Sequence, residues 1–120
     1  MTTPRVGLVL PLLLVTALLA AAPAQAASPP KGKYSCVIPR LPSPFYAGYL
    51  HILSPRRYRV ENKRGRYTTR GKRIIFRSGP HKGKWRKVTW DSEVDEDGRT
   101  AEITLEPKDG GQAWTCTEEN

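Results

Sequence analysis

Arginines are the side chains best equipped for chemistry in this 120-residue chain. Arg57 and Arg59, Arg64 and Arg66, then Arg73 and Arg77 recur at even spacings. Even spacing places side chains on one face of a β-strand. A guanidinium fork matches the oxygen geometry of phosphate, sulfate and carboxylate groups. Lys82, Lys84 and Lys87 continue the run, with Trp85 among them. Residues 31–87 carry 17 Lys and Arg against a single acid, Glu61, a balance of +16. Residues 88–120 reverse this, with Arg99 and Lys108 against ten acids, a balance of −8. So uneven a division suggests a polyanion partner or a bipolar interaction surface. The plainer role is a solvated, solubilising surface that offsets the acidic third of the chain.

Other chemistries find less support. Trp85 has parity opposite to Val88 and Trp90, which would expose it for stacking on a sugar or a base. A bulge after Gly83 would instead turn it inward. Phe45, Tyr46 and Tyr49 follow a Pro-rich loop and are expected to cap a barrel end. The run Asp91, Glu93, Asp95, Glu96, Asp97 before Gly98 invites a calcium reading, but the register puts Thr104 where an EF-hand needs a bidentate Glu. A charged hairpin tip is expected there, and no metal site. His51 and His81 are the only histidines, and neither has a Ser or Cys nucleophile motif nearby. With no HExxH motif, Cys cluster or glycine-rich phosphate loop, the chain reads as no enzyme, with no cofactor.

The elements that must position these arginines follow from apolar alternation. Tyr34, Cys36 and Ile38 share one parity. So, in their own runs, do Leu50 and Ile52, Tyr58 and Val60, Gly65 and Tyr67, and Ile74 and Phe76. Val88 and Trp90 follow, then Ala101, Ile103 and Leu105, then Trp114 and Cys116. This is the pattern of an antiparallel sheet with one buried face. Turn residues at 54–56, 62–64, 70–72, 78–84, 92–99 and 107–111 separate the runs. About eight strands in a meander predict a small up-and-down barrel with a filled interior. A β-sandwich is the competing architecture.

The N-terminus bears on location. Arg5 precedes an apolar stretch over residues 6–22, and Ala24-Gln25-Ala26 is a small-x-small cleavage site. This predicts a signal peptide over 1–27 and one secreted domain over 28–120, extracellular or associated with the cell envelope, with no membrane span after cleavage. A domain of this size buries only about 60–65% of its unfolded surface. In an exported chain, two cysteines usually pair. A bridge from Cys36 to Cys116 would close nearly the whole domain, contributing roughly 4–5 kcal/mol in the chain-entropy picture. It would also require the first and last strands to be neighbours.

Gly32-Lys33-Tyr34-Ser35-Cys36, Ile74-Ile75-Phe76-Arg77-Ser78-Gly79-Pro80 with Gly83, and Trp114-Thr115-Cys116 together carry a family resemblance. The chain resembles small exported, actinobacterial-type β-proteins with a GxYxC start and an IxFxSGPxxG centre. The resemblance implies location and fold, and no activity. In architecture the chain also resembles bacterial lysozyme-inhibitor barrels, which open with a YxC strand paired to a late Cys. Their inhibitory loop carries SGxxY, whereas Ser78-Gly79 here runs into Pro80-His81-Lys82. The expected function is non-catalytic binding of an anionic polysaccharide, teichoic acid or other polyanion by a monomer. A protein-binding or inhibitor module using barrel-end loops, or a small-ligand carrier, is the alternative.

Overall fold

A hydrophobic period of two, repeated eight times, needs a sheet whose inner face is sealed from water. In the computed structural model, which describes residues 28–119, that sheet is closed on itself. The expected signal peptide, residues 1–27, lies outside the described residues. The strands are β1 (Gly32–Ile38), β2 (Phe45–Ser54), β3 (Arg57–Val60), β4 (Lys63–Arg70), β5 (Arg73–Phe76), β6 (Trp85–Asp95), β7 (Gly98–Pro107) and β8 (Trp114–Glu118). Each pairs antiparallel with the next, and β1 returns to pair with β8. The result is a closed barrel and not a sandwich, so neither β1 nor β8 is left as a free edge. Cys36 and Cys116 lie directly opposite one another in the β1–β8 register and form a disulfide, with Cα atoms 3.9 Å apart.

The expected inward residues face the interior on every strand, with the parity interrupted at bulges near the starts of β2 and β6. Tyr34, Tyr58 and Tyr67 are at most 1% exposed and fill the interior together with Leu50, Ile52, Ile103 and Leu105. Each tyrosine hydroxyl donates to a backbone carbonyl: Tyr34 to Pro30 (2.7 Å), Tyr58 to Ser78 (2.8 Å) and Tyr67 to Ser54 (2.8 Å). Those bonds let bulky aromatic volume be buried without stranding a polar tip.

Several connections are tighter than the sequence suggests. The turns at 55–56, 61–62, 71–72 and 96–97 each span two residues. Glu61 and Gly71 adopt positive φ (57° and 60°), which such hairpins demand. The expected acidic loop over 92–99 is largely strand. Glu93 pairs with Thr100 and Val94 with Arg99, partners that tolerate the acids, and Gly98 (φ 117°) follows the turn. β5 and β6 are the weak join, in register only at Arg73 and Thr89.

Segment 77–84 closes one end of the barrel, and two glycines set its position. A Cβ on Gly65 would lie 2.5 Å from the Tyr58 ring and 2.3 Å from the Ser78 carbonyl. One on Gly79 (φ 90°) would lie 2.6 Å from Gly65 Cα. Ser78 Oγ accepts from the Arg66 N–H (2.9 Å), fastening the segment to β4. This close approach gives the Ser78-Gly79 pair and Gly65 a structural reason to be there.

Candidate functional site

The strand registers convert the arginine spacing into a surface. Arg57 lies opposite Arg66, and Arg59 opposite Arg64, across β3 and β4. Arg70 faces Arg73 across β4 and β5, and the Arg77 N–H donates to the Arg66 carbonyl (2.8 Å). Arg57, Arg66 and Arg77 therefore line up across β3, β4 and the first residue beyond β5. A second row runs from Lys33 on β1 through His51 on β2 and Arg59 to Arg64. All these arginines are exposed except Arg59, which is half-buried. Partial burial, then Arg59 and Lys33, push the His51 pKa below its ordinary value. Among the described residues, no carboxylate forms an ion pair with Arg57, Arg59, Arg64, Arg66, Arg73 or Arg77. Arg59 instead donates to the Glu61 carbonyl, and Arg77 Nε to Thr68 Oγ1 (3.0 Å). A shallow groove of about 520 Å³ lies between Arg56, Arg66, Arg77 and Thr68 on this face. Three guanidiniums and a hydroxyl suit the oxygens of an anionic group.

The remaining basic positions belong elsewhere. Lys87 is exposed on β6 across the weak join, opposite Glu106 of β7. Lys82 and Lys84 lie on segment 77–84 at the barrel end. Trp85 is not part of an exposed basic stripe. A bulge between Trp85 and Lys87 reverses its parity, and the ring packs on the core. Phe45, Tyr46 and Tyr49 do not cap the end; they lie on β2 and are 39–51% exposed. Arg40 sits over Phe45 and Lys33 over Tyr49.

At the barrel end, His81 occupies the position that the sequence left unassigned. It is 8% exposed and stacks near-parallel on Tyr58 at 5.8 Å. Its backbone N–H donates to the Tyr58 hydroxyl (2.9 Å), and its Nδ1 accepts from Trp85 Nε1 (3.1 Å). With Nδ1 accepting, the neutral ring carries its proton on Nε2. Burial, aided by Lys84, pushes the imidazole pKa down to about 4, so it is neutral at physiological pH. Trp114 meets Trp85 edge to face at 4.9 Å and 74°. Beside them a groove of about 600 Å³ is lined by Arg40, His81, Lys84, Asp109, Gln112 and both indoles. A smaller recess of about 300 Å³ shares His81 and Trp85 and follows the β5–β6 join to Arg73 and Lys87.

Sequence reasoning could have found Thr68 by the outward parity it shares with Arg64, Arg66 and Arg70, whereas Arg56 shares the parity of inward Tyr58 and sits in the 55–56 turn. The groove is another matter, because loops distant in sequence assemble it. The Gln112 side-chain amide donates to the Pro39 carbonyl, joining segments 73 residues apart. Comparison of the chain with protein-family models, with curated proteins and with solved structures finds no match. What the site does must therefore be read from its own geometry.

Proposed function

We propose that this protein binds an anionic polymer of the cell envelope or extracellular space through the outer face of β3, β4 and β5. The signal-peptide pattern of residues 1–27 supports a place of action outside the cytoplasm. The observation that carries the reading is the set of directly opposed arginine pairs, Arg57–Arg66, Arg59–Arg64 and Arg70–Arg73. Like charges opposite one another on a sheet are destabilising, and no carboxylate of the described chain pairs with the first two pairs or with Arg73. A chain of phosphate, sulfate or carboxylate groups would relieve the repulsion and release its own counterions.

The test is retention of the exported protein on heparin and on a teichoic-acid-like phosphate polymer. Retention at low ionic strength should be lost steeply as salt rises. Arg59→Glu with Arg73→Glu should weaken binding without lowering the thermal midpoint, since each new carboxylate faces an arginine. Passage of the wild-type protein without retention at low salt overturns the reading. A protein-binding role draws support from Leu41, which is 94% exposed next to the exposed Phe45 and Tyr46. Partner capture that persists at high salt would favour it.

A further inference from the structure

We propose that the groove at the barrel end is a saccharide subsite that holds one acidic sugar unit, its ring on the indole corner and its carboxylate or sulfate toward Arg40 and Lys84. The charge of the ligand rests on the polyanion reading, while the position of the subsite rests on separate residues. Trp85 and Trp114 meet at 74°, so they form a corner and not a parallel slot. A flat base would need a slot or an open face on which to stack. A pyranose has an apolar C–H face for one indole and a rim of hydroxyls for the adjoining wall.

The corner is rigid and its rim is polar. The hydrogen bond to His81 fixes Trp85, and His81 is itself stacked on Tyr58 and packed against Phe76. The Trp114 indole N–H has no hydrogen-bond partner in the described chain, yet it is not among the buried unsatisfied atoms, so water or a ligand can reach it. Arg40 and Lys84 outnumber Asp109 at the rim, which favours an anion. Gln112, whose amide N–H₂ is held by the Pro39 carbonyl, and Asp109 supply acceptors for hydroxyls. A volume near 600 Å³ falls within the usual span for small-ligand sites, about 300–1,000 Å³. The recess along the β5–β6 join leads from Arg73 and Lys87 to Trp85. A polymer lying on the basic face could therefore place one unit in the groove.

The experiment is a tryptophan-fluorescence titration of the exported protein with trigalacturonate, with neutral maltotriose and a thymidine dinucleotide as comparators. Trigalacturonate should shift the emission and saturate, maltotriose should bind at least tenfold more weakly, and the dinucleotide more weakly still. Arg40→Ala, on an exposed loop, should weaken trigalacturonate at least fivefold without altering the fold. Trp114→Phe should remove most of the emission change. Arg59→Glu with Arg66→Glu, neither of which lines the groove or the recess, should leave trisaccharide affinity within about twofold while weakening the long polymer. The proposal falls if trigalacturonate gives no saturable change, if the dinucleotide binds as well or better, or if Arg40→Ala has no effect. It also falls if the Arg59/Arg66 double variant abolishes trisaccharide binding, which would place the sugar on the basic face. Trisaccharide binding with no retention of long polymers would leave the subsite standing and overturn the basic-face reading alone.

Discussion

The two sides of the barrel carry opposite charge and treat it in opposite ways. On the β6–β8 side, acids also oppose one another, as Asp91 does Glu102. Basic residues meet four of the acids in residues 88–120. Arg99 bonds Glu118 at 3.1 Å, Arg86 bonds Glu106, Lys33 approaches Glu119 at 3.7 Å and Lys72 approaches Asp91 at 4.0 Å. Glu118 also accepts from the Ala101 N–H (3.2 Å), so it serves the fold. The arginine side has no such compensation: one acid, Glu61, accompanies it, and that residue offers its carbonyl. Internal pairing ties part of the acidic side into the fold, whereas the repulsion on the basic side is unrelieved within the described chain, which supports the proposed outside partner.

Charge reversal on the two sides is the sharpest way to break this contrast, and it should have the largest effect. Arg66→Glu with Arg77→Glu should lower heparin affinity by roughly a hundredfold or more near 0.1 M salt. Asp91→Lys with Glu102→Lys should leave it unchanged or raise it. A gain from the acid-to-lysine pair as large as the loss from the arginine pair, measured by isothermal titration, would mean that net charge and not the arginine face governs binding.

A covalent tie holds the acidic side, where β1 meets β8, whereas the basic side relies on the Gly65–Gly79 contact. Cys36→Ser with Cys116→Ser should cost roughly 2–5 kcal/mol in urea unfolding. A native exported protein with two titratable thiols would contradict the tie.

His81 joins the halves, touching Tyr58 and Phe76 on one and Trp85 and Trp114 on the other. Its pKa falls from 6.5 when unfolded to about 4 when folded. Between those values the unfolded chain binds more protons, so acid favours unfolding. This contribution is whole above about pH 6.5 and is lost as pH falls toward 4, amounting to about 3 kcal/mol. His81→Gln retains an acceptor for Trp85 but does not titrate, so its stability should fall less than that of the wild type between pH 7 and pH 4. Parallel pH curves for the two proteins would refute this.

The smallest effect carries the opposite sign. Arg66→Glu alone should stabilise the barrel by about 0.2–1 kcal/mol, because Arg57 then faces an opposite charge. Arg99→Ala should destabilise by a similar amount. A loss of thermal midpoint in Arg66→Glu would show that Arg57 and Arg66 do not repel.

The barrel was legible because the main core residues alternate regularly within each run from Tyr34 to Cys116, and because a disulfide between distant cysteines requires neighbouring strands. The arginine face was legible for the same reason, being the complement of that parity. Trp85 was not, since one extra residue at the bulge inverts its side while leaving the local sequence looking regular. The acids around residue 93 resembled a loop because like charges usually avoid a ladder; the uncharged partners Thr100 and Gly98, opposite Glu93 and Asp95, make it acceptable. Phe45, Tyr46 and Tyr49 resembled a cap because large rings favour burial, yet Arg40 and Lys33 cover two of them on the outside. His81 has no periodic signature at all, and its role arises from rings brought in by four different parts of the chain.

The return of β1 to β8 also bears on where the chain could be cut. Glu119 N–H donates to the Lys33 carbonyl at 2.8 Å, so the two ends of the folded segment lie side by side, away from the aromatic groove. Every neighbouring pair of strands is hydrogen-bonded, so no strand is a topological first. A short linker between residues 119 and 28, with new ends opened at the 96–97 turn, preserves all eight ladders and the Tyr34–Pro30 hydrogen bond. Such a circular permutant should fold to the same barrel, with the arginine face and the groove both intact.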